Sequence, residues 1–177
     1  MCIRDSMETN LKKNTIDLGI KLGTFLFVIT ALIYVIDLKL FTNTWIMLAF
    51  MLPTLAVSIY SVYSAKKIQN QIITFKEAFT AYFLCVAIGY LIVTMGNIVL
   101  FKFIDPAAAD LIHEEIMVFT KTMMENFNSP SDVIALTMDE MQKNHSFSWM
   151  AIVQNYANAL LRNAIFGLII ALIFKKS

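Results

Sequence analysis

The side chains best suited to chemistry lie near the C-terminal end of the chain, where four polar residues interrupt an apolar run. They are Gln154, Asn155, Asn158 and Arg162, which we call the polar stripe. At about 100° per residue of helix, all four fall within an arc of roughly 100°, so they share one face. Amides and a guanidinium inside an apolar helix often mark an ion or substrate pathway, and they also bind helices to one another.

A second group of chemically capable residues lies between positions 103 and 147. His113-Glu114-Glu115 begins like a zinc-protease motif, but the second histidine that this motif needs four residues later is Met117. Imidazole with thioether suits copper(I), whereas methionines at helical spacing also fill apolar helix faces. The residues concerned are His113, Met117, Met123, Met124, Met138, Met141 and His145. With no catalytic triad or phosphate loop either, we predict no catalytic residue, no metal and no cofactor.

The composition indicates which elements position these residues. Hydrophobic residues make up 58% of the 177 residues, charged residues make up 15%, and the mean hydropathy is +0.67. A soluble domain carries more charge, so the composition indicates a single integral membrane domain in a lipid bilayer. The formal net charge of +1, with no basic cluster, gives no reason to expect nucleic acid as a partner.

Four apolar segments predict four membrane-spanning helices. Residues 40–65 form an uncharged run of 26 residues, and residues 78–101 form an uncharged segment of 24 residues, which is enough to cross a hydrocarbon core of about 30 Å. Thr74 and Glu77 form a capping box that starts this helix at Phe75, and Asp105-Pro106 ends it. The predicted spans are residues 18–37, 43–63, 77–102 and 149–174. We also expect residues 1–6 not to be native, with Met7 as the true start.

Two features within the spans predict how they pack. Pro53 interrupts the second span, where Thr54 and Ser58 can satisfy the backbone carbonyl that a proline leaves free; either a kink or a hinge is expected. Gly19 and Gly23 form a GxxxG pair in the first span, which favours close helix packing.

The depth of Arg162 leaves three interpretations open. Counted from Lys175, it lies about 18 Å from the inner boundary and roughly 10 Å from the outer one. The guanidinium can extend to the outer interface, hydrogen-bond Asn97 and Thr94 on the third span, or line a transport path. No acidic residue inside a span neutralises it, which disfavours a proton relay. Asn97 and the polar stripe together are the candidate intramembrane polar site.

The external region, residues 103–147, is predicted to form two amphipathic helices. Asp105 and Pro106 start the first, Asn128-Ser-Pro-Ser separates them, and Asp132 is in the first turn of the second. The predicted apolar faces are Ile112, Ile116, Phe119, Met123 and Phe127 in the first helix, and Ile134, Met138 and Met141 in the second. These helices can lie on the bilayer, pack onto the bundle or bind a protein; their eight acidic residues disfavour anionic lipid.

Lysine distribution predicts the orientation. Eight lysines share the side that holds both termini, and four are spread over the other side: Lys12, Lys13, Lys21, Lys66, Lys67, Lys76, Lys175 and Lys176 against Lys39, Lys102, Lys121 and Lys143. The positive-inside rule therefore places both termini in the cytoplasm and residues 103–147 outside it. Trp45 and Trp149 then lie at the outer interface, where indole rings prefer to be.

Sequence motifs at the helix boundaries resemble those of one family. ITFKEAF opens the third span and FKFIDP closes it, and the glycine-containing first helix and the apolar last helix complete the likeness from about Leu18 onward. They resemble the small bacterial membrane proteins catalogued as domain of unknown function 4199. The resemblance implies a four-helix, multi-pass protein of the bacterial cytoplasmic (inner) membrane, and it implies no activity, substrate or catalytic residue.

We therefore expect an all-α fold, a four-transmembrane-helix bundle with an extracytoplasmic amphipathic helical hairpin between the third and fourth spans. The function expected first is that of a non-enzymatic accessory or regulatory membrane protein, whose hairpin binds a protein partner or a second copy of the chain. The alternative is a small-solute or ion transporter or channel, in which the polar stripe, including Arg162, lines a polar cavity with Asn97.

Overall fold

The computed structural model describes residues 2–175, with side chains from residue 9 onward, and all regular structure in that part of the chain is helical. The α-helices are α1 (Cys2–Ile36), α2 (Thr44–Ile68), α3 (Phe75–Ile98), α4 (Pro106–Asn126), α5 (Ser131–Lys143) and α6 (Trp149–Phe174). A 3₁₀ turn, Leu38–Thr42, joins α1 to α2, and a π-helical turn, Val99–Ile104, continues α3. The expected all-α class is confirmed.

Four helices are long and apolar enough to cross a membrane, in the four places where the sequence predicts spans. They are Thr9–Ile36, Thr44–Ile68, Phe75–Ile104 and Trp149–Phe174. The first extends further toward the N-terminus than the predicted start at residue 18, and an Asp17–Lys21 ion pair of 2.6 Å, one turn apart, supports this polar part of the helix. The expectation about residues 1–6 concerns Met1 and side chains that lie outside the described part of the chain.

Both helix starts predicted from capping residues are confirmed. The hydroxyl of Thr74 accepts a hydrogen bond from the backbone N–H of Glu77 (3.3 Å), while the Glu77 carboxylate accepts one from the backbone N–H of Thr74 (2.9 Å). At α4, Asp105 Oδ1 accepts from the backbone N–H of Ala108 (3.1 Å), and Pro106 occupies the first turn. These bonds satisfy backbone donors that a helix start otherwise leaves unpaired.

Helix α3 is the centre of the bundle. It packs against α1, α2 and α6, while the other contact that α6 makes with a long apolar helix in the described part of the chain is a weaker one with α2. Its face toward these neighbours buries Ala78, Ala81, Tyr82, Cys85 and Val86 completely. The bundle is therefore open, with α1 and α6 on different sides of α3 and much of α6 left uncovered.

Glycines allow α1 and α3 to approach closely. A Cβ atom added at Gly23 would lie 2.6 Å from the carbonyl oxygen of Gly89 and 2.8 Å from Cβ of Ile92. One added at Gly19 would lie 2.9 Å from the carbonyl oxygen of Cys85. Both members of the predicted GxxxG pair thus face α3, where their lack of a side chain brings the two backbones into contact.

Pro53 lies inside α2, which stays helical from Thr44 to Ile68. The Thr54 hydroxyl donates to the backbone carbonyl of Phe50 at 2.7 Å, next to the carbonyl of Ala49 that the proline leaves without an N–H partner. The hydroxyl of Thr54 therefore does not reach the carbonyl that the proline leaves free, and the buried Ser58 hydroxyl has no hydrogen-bond partner among the described residues. The expectation that these two side chains satisfy the freed carbonyl is not met in this structure.

Helices α4 and α5 form an antiparallel pair between the third and fourth apolar helices, which we call the hairpin. The first half of α4 packs on the end of the bundle, where Ala108, Ala109 and Ile112 meet Leu100 and Phe101. The hydroxyl of Tyr34 donates to Asp105 Oδ2 at 2.9 Å and ties α1 to the start of α4. All thirteen residues of α5 are described and none is buried, and α5 packs on α4 alone. The distal half of the hairpin, residues 117–136, therefore projects from the bundle.

Substitution of Gly23 by leucine tests the close approach of α1 and α3. The new side chain has no space beside Gly89, so we expect a loss of about 1–3 kcal/mol in the free energy of unfolding. Thermal unfolding in detergent measures the loss. Val28→Leu is the control, because Val28 lies on the same helix and is half exposed. An equal shift in both variants would contradict the assignment of Gly23 to the packed face.

Candidate functional site

The polar stripe points away from the bundle. Helix α6 packs on α3 through a face that contains Gly167, and a Cβ atom added at Gly167 would lie 2.7 Å from the Tyr82 ring. At about 100° per residue, Asn158 lies about 180° from Gly167 and Arg162 about 140° from it. All four stripe residues are exposed. Gln154, Asn158 and Arg162 therefore lie on the side of α6 opposite the face that packs on α3, whereas Asn155 lies between the two sides.

Arg162 has no partner of its own. Among residues 9–175, no side chain forms a hydrogen bond or ion pair with Arg162 or with the other three stripe residues. Arg162 stands thirteen residues after Trp149 and twelve before Phe174, at the middle of α6. Because α6 turns it away from α3, the guanidinium does not hydrogen-bond Asn97 or Thr94. The interpretation in which Arg162 hydrogen-bonds the third span is therefore not seen in this structure.

A cleft between α3 and α6 holds the remaining candidate residues. Asn97 and Asn155 both line this cavity of about 210 Å³, with Thr94 and Tyr156 beside them. The Oδ1 atom of Asn97 is buried and has no hydrogen-bond partner among the described residues. Gln154, Asn158 and Arg162 do not line the cleft. The candidate polar site thus divides into an inward part, Asn97 with Asn155, and an outward part formed by the rest of the stripe.

Two histidines fix the base of the hairpin. His113, which is 7% exposed, accepts at Nδ1 from the backbone N–H of Ser146 (3.2 Å), and that nitrogen lies 2.8 Å from the Ser146 hydroxyl. The His145 ring lies beside it, tilted by 36°, with ring centroids 4.3 Å apart. His145 Nδ1 accepts from the backbone N–H of Phe147 (3.1 Å), and its Nε2 lies 3.1 Å from Asp110 without the alignment of a hydrogen bond. This histidine pair attaches α4 to the segment that leads into α6.

The other metal candidates lie along the hairpin. Met117, Met124, Met138 and Met141 are half-buried, and Met123 is exposed. In the part of the chain that the structure describes, no three His, Cys, Asp or Glu side chains come together as metal ligands. The histidines are engaged with backbone N–H groups, which accounts for their positions without a metal.

Several polar contacts inside the bundle are not anticipated by the sequence analysis. The hydroxyl of Ser61 donates to the carbonyl oxygen of Ala81 (3.1 Å), and that of Tyr156 donates to the carbonyl oxygen of Ala87 (3.1 Å). A signal for the first exists, because small residues recur at intervals of four and three along one face of α2. They are Thr54, Ser58, Ser61 and Ala65, all buried. Such faces allow close helix packing in membranes.

The fold defines the class of protein: an all-helical chain with four helices long and apolar enough to cross a membrane. Within that class, the chain belongs to the family described as "Protein of unknown function (DUF4199)", which matches residues 17–176, nearly the whole chain. The resemblance found from the helix-boundary motifs is therefore confirmed. No curated protein and no solved structure matches the chain.

Acidification is expected to destabilise the base of the hairpin. Burial and then the neighbouring His145 lower the pKa of His113 below its ordinary value of 6.5, although a hydrogen bond to the Met141 backbone and the charges of Asp110 and Glu114 oppose this. The unfolded chain therefore takes up the proton first. The free energy of unfolding falls as pH decreases below about 6.5 toward the lower folded-state value.

Thermal unfolding at about pH 7.5 and about pH 5.5 measures this dependence. We expect the midpoint of the parent protein to fall by several degrees, and that of His113→Gln to fall less, because glutamine does not titrate. His145→Gln is the matched variant: it removes the neighbouring ring but leaves the buried His113, so part of the dependence should persist. An equal fall in the parent protein and His113→Gln would rule out His113 as the source.

Proposed function

We propose that this protein is a non-enzymatic, multi-pass protein of the bacterial cytoplasmic membrane that binds another protein through its hairpin. The observation that carries the proposal is the projecting distal half of the hairpin, which leaves large apolar side chains uncovered. Phe127 is 76% exposed, Leu136 is 69% exposed and Val118 is 61% exposed. Exposed apolar clusters with polar surroundings are typical of protein interaction sites.

The predicted apolar faces of the hairpin cover one another only in part. Ile112 is buried and Ile116 and Phe119 are half-buried, whereas Met123 and Phe127, further along the same face, are exposed. On α5, Ile134, Met138 and Met141 are half-buried. The apolar surface thus becomes more open from the base of the hairpin to its tip, which leaves room for a partner at the tip.

Charge on the hairpin indicates the partner's chemistry. Lys121 pairs with Glu125 and Lys143 with Asp139, which neutralises two of the carboxylates on α4 and α5. Among the described residues, Glu114, Asp132 and Glu140 have no basic partner. A partner with an apolar centre and basic rim would complement this surface, while an anionic membrane surface would repel it.

Aromatic residues support the proposed orientation. Lys102 lies over the Trp149 ring at 4.6 Å from its centroid, so the end of the third apolar helix and the start of the fourth lie at one level. Trp45, at the start of α2, is 79% exposed. Both tryptophans are at the hairpin end, and Lys66 and Lys67, in the last turn of α2, are at the other. We therefore place both termini in the cytoplasm and the hairpin outside it.

Transport is the alternative, and the cleft supports it less well. A pathway that used Arg162 would bring it to the same cavity as Asn97. The residues that line the cleft carry no charge, and Arg162 and Asn158 lie on the opposite side of α6. Enzymatic activity has little support either, because the sequence holds no catalytic motif and no Asp, Glu, His, Lys or Cys side chain lines the cleft.

Accessibility of single cysteines tests the orientation. With Cys2 and Cys85 replaced by alanine, we expect Asn126→Cys in the hairpin to react in intact cells with a maleimide that does not cross membranes. Lys67→Cys, in the last turn of α2 at the opposite end of the bundle from the hairpin, should react only after the cells are opened. The reverse pattern would show that the hairpin is cytoplasmic.

Serine substitutions in the hairpin test partner binding. Tagged protein is purified from native membranes after crosslinking, and the crosslinked proteins are quantified by mass spectrometry. We expect Met123→Ser with Phe127→Ser to reduce the recovered partner at least about tenfold, because truncation of apolar side chains at the centre of an interface has effects of that order. Ile72→Ser is the control, since Ile72 is 64% exposed but lies in the α2–α3 connector. Unchanged recovery in the hairpin variant would refute the proposal.

A further inference from the structure

We propose that the polar stripe of α6 is a docking surface for a transmembrane helix of another protein, and that this helix carries an aspartate or glutamate at the depth of Arg162. This interface lies inside the membrane and is separate from the hairpin surface. The proposal depends on three observations: the outward direction of Gln154, Asn158 and Arg162, the missing counter-charge, and the hydrogen-bonding capacity of the two outward amides.

The direction of the stripe is unusual for a membrane helix. Ionisable side chains inside the membrane almost always face a bundle interior or a wet cavity. Here the packed face of α6 contains Gly167, Ile170 and Ala171, and Asn158 and Arg162 lie on the far side. Arg162 therefore faces a bundle interior only if a helix from outside this chain covers that side of α6.

The missing counter-charge excludes a second copy of this chain as the preferred partner. The sequence has no aspartate or glutamate in residues 22–36, 40–76, 78–104 or 147–177, so no span carries a carboxylate near mid-membrane. Two copies joined symmetrically through this face would also place Arg162 against its counterpart, and like charges at such distances repel. A carboxylate on a different protein would instead form two parallel hydrogen bonds with the guanidinium.

The amides favour a protein helix over a lipid phosphate. A phosphate only accepts hydrogen bonds, so it can satisfy Arg162 but leaves the carbonyl oxygens of the outward-facing Gln154 and Asn158 without donors. A helix with serine, threonine, asparagine or glutamine one and two turns from its carboxylate supplies both donors and acceptors. Asn158 and Gln154 lie about 6 Å and 12 Å from Arg162 along the axis, which sets that spacing.

The rest of the same side of α6 suits an apolar helix. Ile165, Ile169 and Leu172 follow Arg162 on this face and are all more than half exposed. At about 100° per residue they continue the line of the stripe toward the other end of the helix. The partner is thus expected to be polar in the half near the hairpin, acidic at the centre and apolar beyond it.

Designed transmembrane peptides provide the test. The purified full-length protein, labelled with a donor fluorophore, is reconstituted in lipid nanodiscs with leucine–alanine peptides that carry an acceptor. The peptides differ only at the central position, which is glutamate, glutamine or leucine, and energy transfer measures binding at about pH 8, where glutamate is ionised most readily. We expect the glutamate peptide to bind at least about tenfold more tightly than the other two.

Variants of Arg162 test whether this residue causes the preference for the glutamate peptide. Arg162→Leu should abolish the preference for glutamate, Arg162→Lys should keep part of it, and Arg162→Glu should transfer the preference to a peptide with a central lysine. Lys76→Leu, which removes an exposed cation in the first turn of α3, is the matched control and should bind as the parent protein does. Since Arg162→Lys preserves the charge, it keeps the test decisive if Arg162→Leu fails to fold.

Several results would overturn the proposal. Equal binding of the three peptides would show that packing or lipid, and no carboxylate, determines association. If the glutamine peptide bound as tightly as the glutamate peptide, the stripe would recognise polar side chains in general and not a carboxylate. A preference for glutamate that persists in Arg162→Leu would place recognition elsewhere. Energy transfer between two copies of the protein that competes with the glutamate peptide and is lost in Arg162→Leu would show that the surface joins copies of this chain.

Discussion

The scarcity of hydrogen-bond partners in a hydrocarbon solvent is the constraint on which the rest of this structure depends. Most backbone groups in α1, α2, α3 and α6 are satisfied within each helix, and several inward-facing hydroxyls bond to backbone carbonyls, while those of Thr15, Ser58 and Tyr82 have no partner among the described residues. Thr54 donates to Phe50, Ser61 to Ala81 and Tyr156 to Ala87. These bonds let small polar residues replace bulky ones at the contacts, so the helices can pack closely around α3. The polar stripe departs from this pattern, because Gln154, Asn158 and Arg162 face away from the bundle and have no side-chain partner among the described residues. Its functional interpretation depends on these unpaired groups.

Local chemistry made much of the fold predictable from sequence. The capping box at Thr74 and Glu77 involves residues three apart, and so does the bond from Asp105 to the backbone of Ala108. Their effect does not depend on the rest of the chain, so the starts of α3 and α4 were predicted to the residue. The length of the apolar segments similarly identified the four long apolar helices, because the thickness of the hydrocarbon core limits how short a span can be.

The side of α6 that faces α3 could not be predicted, because contacts between residues distant in sequence determine it. Gly167 allows α6 to approach Tyr82 and Phe79, more than eighty positions earlier in the chain. Periodicity alone placed the stripe on one face without indicating whether that face was inside or outside. The link from His113 to Ser146, 33 residues later, is likewise invisible to a search for motifs. The structure therefore separates Arg162 from Asn97, residues that the sequence analysis grouped into one site.

The two proposed surfaces lie at the same end of the molecule, and their connection is direct. The stripe begins five residues into α6, and α6 starts immediately after the segment that His113 and His145 attach to α4. A displacement of the hairpin would therefore pull on the start of α6, whose hold on the bundle is limited to α3 and a small contact with α2. A single partner with an extracytoplasmic segment and an acidic membrane helix would engage both surfaces through a short connection. Because the first binding event would then hold the second surface close, two modest contacts would suffice for stable association.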